Sequence, residues 1–377
     1  MKMLPPDMIE ATRLTRAGKL SEATTLIQSL LRGTRTSGPT GTGPDKSCDS
    51  TSEKTLALPS AAVLPMAAKV RKFFKTSASA LSLKTRIEPP EGARFVTASF
   101  TNEAGRRDYK LFIPRGYCGK PLPLIVMLHG CTQSPDDFAA GTRMNALGEE
   151  QSIFVAYPSQ PKSANISKCW NWFKRGDQQR DRGEPSLIAG ITRQIAKDYA
   201  IDERRIYVAG LSAGGAAAAI MGSAYPDLYA AVGVHSGLPC GAAGDMASAF
   251  SAMQQGSQRG ASPSAEFSRL APTIVFHGDK DTTVNPKNGA LLIEQLRLQE
   301  ATKLRSVSKQ GKIKDGHSYS RTNHLDADGQ AILEMWVVHG ADHAWSGGSL
   351  AGSFTDPRGP DASKEMVRFF LEHVHPA

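Results

Sequence analysis

The chain has 377 residues, 40% hydrophobic and 21% charged, with a formal net charge of +9 and a pI near 9.3. That length holds one large domain or two ordinary ones, and no apolar run approaches the ~20 residues that a membrane-spanning helix needs, so no integral membrane segment is expected. The basic balance admits nucleic acid as a partner, but no recognition motif accompanies it, and five cysteines without a CxxC pair speak against a disulfide scaffold or a zinc site.

Residues 1–33 read as a helical hairpin. Asp7 and Glu10 form a capping-box pattern ahead of Met8, Ile9 and Leu14, Gly18 interrupts the run, Ser21 caps a second apolar stretch, and Gly33 ends it. The opening residues carry prolines and charges in place of the unbroken apolar stretch of a secretory signal. Residues 34–90 read as a largely disordered linker: the segment TRTSGPTGTGPDKSCDSTSEKTLALPS is too poor in apolar groups to offset the entropy of ordering.

From Phe95 onward the pattern is that of a packed domain. FVTASF and RDYKLFIP, separated by TNEAG, predict a β-hairpin. LPLIVMLHG is a buried strand, DDFAAGTRMNALGEEQ one amphipathic helix, and SIFVAYP a strand. SLIAGITRQIAKDYA predicts a helix, RRIYVAG a strand, AGGAAAAIMGSAYP a helix and YAAVGVHS a strand. After a variable stretch come PTIVFHG as a strand, NPKNGALLIEQLRLQ as a helix, AILEMWVVHG as the last strand and ASKEMVRFFLEHV as a closing helix. Strand–helix alternation predicts an α/β domain over residues 91–377, its mostly parallel sheet covered by helices on both faces, with an antiparallel hairpin at one edge. In such sheets ligands collect at the carboxyl ends of the strands.

Ser212 lies at one of those ends, in Gly-Leu-Ser-Ala-Gly between a strand and an Ala-rich helix. That is the setting of a nucleophile elbow. A serine hydroxyl needs a base to take its proton. His343, after the last strand, stands where the order Ser, Asp, His requires a base, and His339 is the alternative. The acid comes from FHGDKDTTVNP: Asp281, deeper in the loop, is the favoured candidate and Asp279 the other. The backbone N–H groups of Ala213 and Cys131 are the candidate oxyanion donors. Cys131 has two further readings, a plain buried cysteine or a bridge to Cys169. Gln133 and Ser134 are further candidates for shaping the pocket. Trp170, Trp172 and Trp345, near loop ends, suggest an apolar substrate platform, with core packing the competing reading for each.

The set LHGCTQ, CWNWF, RIYVAGLSAGG, VGVHSGLPCGAA, FHGDKDTTVNPKNG and HGADHAWSGG resembles the PHB depolymerase family of esterases, within the α/β-hydrolase superfamily, over roughly residues 93–377. The resemblance implies Ser212 as nucleophile, Asp281 as acid and His343 as base, with Cys131 and Ala213 supplying the oxyanion N–H groups. It implies no metal or organic cofactor. The implied partners are carboxylic esters: poly(3-hydroxybutyrate) or other hydroxyalkanoate polymers and oligomers, or alternatively feruloyl or acetyl esters of plant polysaccharides. A non-catalytic binding protein on the same fold is the alternative of another class. The family resemblance points to an extracellular or periplasmic protein, the unreadable signal to a cytoplasmic one. Oligomeric state is left open, as is the pairing of Cys48, Cys118, Cys131, Cys169 and Cys240.

Overall fold

The computed structural model describes residues 90–257, 271–299 and 303–375. The expected N-terminal hairpin lies outside these residues, and so does the expected linker apart from Pro90.

The hairpin forms as expected, from β1 (Arg94–Asn102) and β2 (Gly105–Ile113). Its two-residue turn is fixed by the Asn102 side chain accepting the Ala104 N–H at 2.9 Å and by Gly105 at φ 121°. The parallel centre is built from β3 (Leu122–Leu128), β4 (Phe154–Pro158), β5 (Ile201–Leu211), β6 (Ala231–His235), β7 (Thr273–Gly278) and β10 (Ala331–Val338). Two further strands, β8 (Arg305–Lys312) and β9 (Ser318–Leu325), extend it antiparallel from β10. The order is β1-β2-β4-β3-β5-β6-β7-β10-β9-β8. The chain runs from β3 outward to β4, then returns to the other side of β3 with β5, so a crevice opens between the carboxyl ends of β3 and β5.

Alternation along each strand divides the core in two. Leu124, Val126 and Leu128 of β3 join one apolar cluster with α3 (Gly183–Asp198), α4 (Ala213–Ala224), α5 (Met246–Gln255) and α6 (Lys287–Gln299). Ile125 and Met127 join the other, with α1 (Pro135–Thr142), α2 (Met144–Glu150) and α7 (Ala362–Leu371). Helices therefore cover both faces, as expected. No helix among the described residues is long and apolar enough to cross a membrane.

Three local expectations change. The single helix expected over 136–151 is two, broken at Arg143, which adopts φ 55° and uses its guanidinium on the Gly347 carbonyl (2.9 Å) and Asp361 (2.8 Å). The stretch left unassigned after β6 contains α5, started by a reciprocal capping box between Asp245 and Ser248. The antiparallel edge made by β8 and β9 was not expected, because RSVSKQGK is polar along most of its length and carries no apolar alternation.

The closing helix α7 buries Phe369 and Phe370 completely. Phe370 stacks on Tyr207 of β5 with centroids 5.0 Å apart, and the Tyr207 hydroxyl donates to the His373 carbonyl at 2.9 Å. Phe370→Ala should lower the stability of the domain by about 3–5 kcal/mol. Denaturant unfolding of wild type and variant measures this; a loss below about 1 kcal/mol would mean that α7 is not an integral part of the core.

Candidate active site

The strand β5 ends at Leu211 and α4 begins at Ala213, leaving Ser212 alone in the turn at φ 58°, ψ −118°. A non-glycine residue there is strained and must be held by its surroundings. The Ser212 N–H donates to the His235 carbonyl at 2.8 Å, and the Ser212 carbonyl accepts the Ala216 N–H at 2.9 Å. The flanking glycines allow the close approach: a Cβ on Gly210 would stand 2.2 Å from the Gly214 carbonyl oxygen, and one on Gly214 would stand 2.0 Å from that of Leu128. The start of α4 is thereby pressed against the end of β3. Ala213, at the first position of α4, presents an N–H without an intrahelical acceptor, at the positive end of the helix dipole.

Cys131 lies three residues beyond β3, in the loop facing that helix start, and forms a disulfide with Cys169. This settles the alternatives left open for its side chain. The loop is further held by Gln133, whose amide oxygen accepts the Gly130 N–H (2.9 Å) and whose amide nitrogen donates to Asp137 (2.8 Å) and to the Ser353 carbonyl (3.1 Å). Ser134 caps α1 by accepting the Asp137 N–H at 3.3 Å. The two residues considered as pocket-shaping thus brace the loop. Among the described residues Cys118 and Cys240 are free thiols.

Asp281 follows β7 and His343 follows β10. Their side chains meet, His343 Nδ1 lying 2.7 Å from Asp281 Oδ2. The other carboxylate oxygen accepts the N–H groups of Thr283 (2.9 Å) and Val284 (2.8 Å). Burial would raise the Asp281 pKa, but the neighbouring charge of His343 and hydrogen bonds from His277 and His343 outweigh it, so the carboxyl is held far below the usual carboxylate range. His277 was not singled out in the sequence: its Nε2 lies 2.9 Å from the Val284 carbonyl and 3.3 Å from Asp281 Oδ2. Its position at the end of an apolar strand, just before the Asp-bearing loop, was the available signal.

The two alternative residues pair with each other. Asp279 accepts from His339 Nδ1 (3.0 Å) and from the Gly340 N–H (2.7 Å), and the Ser320 hydroxyl lies 2.9 Å from His339 Nε2. Ser320 lies in the β9 ladder opposite Val337, where backbone N–H groups are engaged in strand pairing, so that constellation lacks the free donors that Ala213 offers.

These three tryptophans are buried in the core, the reading that competed for each with the apolar substrate platform. Trp170 is fully buried and its indole N–H donates to the His129 carbonyl at 3.1 Å. Trp345 is 1% exposed and donates to Ser363 Oγ at 3.0 Å, while Trp172 is 6% exposed and packs edge-on against Phe173.

The family model for esterase PHB depolymerases matches residues 107–315. The chain belongs to this esterase family. Ser212 and Asp281 fall within the matched residues, and His343 lies beyond them. Among its relatives, poly(3-hydroxyalkanoate) depolymerase C of Paucimonas lemoignei is 31% identical over 59% of this chain and 54% of its own length. Feruloyl esterase B of Thermothelomyces thermophilus is 30% identical over 44% of this chain and 61% of its own length. The chain thus spans little more than half the length of these relatives. An acetyl xylan esterase from Aspergillus awamori superposes with a TM-score of 0.56 at 18% identity, over 74% of this chain and 99% of that one. The fold of this PHB depolymerase family member is accordingly that of the α/β-hydrolases.

Two residues before Cys131 lies His129, whose Nε2 accepts the Gln160 N–H at 3.1 Å and whose pKa burial lowers from 6.5 to about 4. The unfolded chain therefore takes up this proton near pH 6.5 and the folded chain only near pH 4. Over that interval the unfolded state binds more protons, so stability is full above it and falls as pH drops through it, by on the order of 3 kcal/mol from this imidazole. Guanidinium midpoints at pH 7.5 and 4.5 check this; midpoints that coincide would contradict a buried neutral His129. Gly210→Ala should yield little folded protein, because backbone rather than a side chain blocks the new methyl group; soluble yield and near-UV circular dichroism are the readouts.

Proposed function

We propose that the chain is a serine esterase that hydrolyses carboxylic esters through an acyl-enzyme, with Ser212 as nucleophile, His343 as base and Asp281 as acid. The observation that carries this reading is the joint placement at one end of the sheet. A serine in a strained strand–helix turn stands two strands from a buried carboxylate that holds an imidazole at 2.7 Å.

Each step follows from that placement. Asp281 accepts His343 Nδ1–H, which leaves Nε2 as the lone pair able to take a proton. Ser212 Oγ attacks the ester carbonyl carbon, and its proton passes to Nε2. The N–H groups of Ala213 and Cys131 receive the oxyanion of the tetrahedral intermediate. The C–O bond to the alcohol breaks and the alcohol leaves with the proton from Nε2. Water then attacks the acyl group, giving its proton to Nε2, and Ser212 leaves with that proton as the free acid forms. An ionised Asp281 stabilises the imidazolium twice in the cycle.

The substrate class we favour is a hydroxyalkanoate polyester or its oligomers, on the likeness to the depolymerase. The likeness to feruloyl esterase B, nearly as high in identity over a shorter stretch, supports feruloyl esters of plant polysaccharide as the second reading. The Cys131–Cys169 bridge supports an oxidising compartment, extracellular or periplasmic, over the cytoplasm.

Ser212→Ala should lower kcat by at least about 10³-fold on any ester the protein cleaves. Asp281→Asn should lower it by about 10⁴-fold, whereas Asp279→Asn should stay within about tenfold of wild type. Assays on 4-nitrophenyl butyrate, methyl ferulate and 3-hydroxybutyrate oligomers test both the residues and the substrate class. Absence of Ser212-dependent turnover on all three, with no labelling by a fluorophosphonate, would favour a non-catalytic binding role.

A further inference from the structure

His235 closes β6, the strand between the one that ends in Ser212 and the one that leads to Asp281. It is 1% exposed and is not one of the three residues assigned to the reaction. Its backbone and its ring face different partners. The carbonyl accepts the Ser212 N–H at 2.8 Å, and ring Nε2 accepts the N–H of Ser346, three residues beyond His343, at 2.9 Å. Ring Nδ1 lies 3.1 Å from Ser236 Oγ, to which it donates. The imidazole stacks between Trp345 (5.1 Å) and Phe276 (5.8 Å), which fixes its plane.

We infer that His235 is a positioning residue, whose Nε2 lone pair registers the His343-bearing loop against the Ser212 turn. The inference rests on the reading of Ser212 and His343 given above. His235 acts through the backbone, with no place of its own among the reacting atoms.

The chemistry supports a specific requirement for a neutral ring. A protonated Nε2 would point a donor at the Ser346 N–H, itself a donor. Burial, together with the neighbouring His277 and His343, lowers the His235 pKa to about 3, so Nε2 stays an acceptor at any ordinary pH. Ser346 is 2% exposed, so removing the acceptor leaves its N–H unpaired away from water. The loop must then shift to satisfy it, and a shift of about 1 Å in a catalytic group costs about 10²-fold in rate.

The test compares His235→Gln with His235→Asn in the full-length chain. Gln sets an amide oxygen close to the place of Nε2; Asn, one methylene shorter, does not reach it. On 4-nitrophenyl butyrate, His235→Asn should lose about 30- to 100-fold in kcat with KM within about threefold, and His235→Gln should recover at least tenfold of that loss. Hydrogen exchange over residues 340–350 should quicken in the Asn variant and stay near wild type in the Gln variant. Equal loss in both variants, or an Asn variant that retains wild-type kcat, would overturn the inference. Should Ser212 prove not to be the nucleophile, the esterase reading falls by itself, while unchanged exchange in His235→Asn would still refute the loop register. If the Asn variant does not fold, the Gln variant decides: kcat within about tenfold of wild type upholds the acceptor role, and a larger loss rejects it.

Discussion

The site depends on one close approach between backbones. At the end of β5 the chain must leave the sheet, expose a side chain and enter a helix within a single residue, and it must do so against the end of β3. Two glycines make this sterically possible, since the carbonyls of Gly214 and Leu128 lie where their β-carbons would be. The strain then concentrates on Ser212, at φ 58°, ψ −118°, and is held there by hydrogen bonds from both sides. The contact that forces the turn also presents the Ala213 N–H at the mouth of the β3–β5 crevice. The proposed nucleophile and the candidate oxyanion donor are therefore two consequences of one packing constraint.

A second constraint is electrostatic. Asp281 is buried, and an unpaired buried carboxylate would protonate and cease to act on an imidazole. Two backbone N–H groups on one oxygen and two imidazoles near the other keep it ionised. Asp279, two residues earlier, is about one-third exposed and turns toward His339 instead. The sequence reading favoured Asp281 and His343 on depth in the loop and order along the chain. The structure pairs these two with each other and the alternatives with each other, a coincidence of registers that no spacing rule contains. His277 escaped notice for a related reason: within an apolar strand a histidine reads as core, and only the return of the loop brings Asp281 to it.

What the sequence made legible was whatever depends on local period and local turn chemistry. The parallel strands appeared as short apolar runs because both of their faces are covered, and the elbow appeared because its glycines are obligatory. What it hid depends on distant partners. Arg143 breaks a helix because its guanidinium is bonded to Gly347 and Asp361, more than two hundred residues on. Strand β8 is held by backbone pairing to β9 at the sheet's edge, and most of its residues are exposed on both faces, so it carries no apolar alternation to detect.

A buried carboxyl group anchors the segment that carries two of the tryptophans. In Lys168–Phe173 the residue between the two indoles is Asn171, whose backbone N–H (2.7 Å) and side-chain amide (2.6 Å) both donate to Glu184. Glu184 is itself buried at the start of α3, where the helix dipole favours a carboxylate, and it also receives Gln160 and Arg107. Trp170, Asn171 and Trp172 are all buried, and the disulfide from Cys169 ties the segment to the loop that carries the Cys131 N–H. Read alone, Glu184 is an ordinary acidic residue in the first turn of a helix, and two tryptophans in a loop suggest a surface for ligands. Only with its four donors in place does the carboxylate become the anchor of that loop, and the indoles become the apolar filling that seals it behind the site.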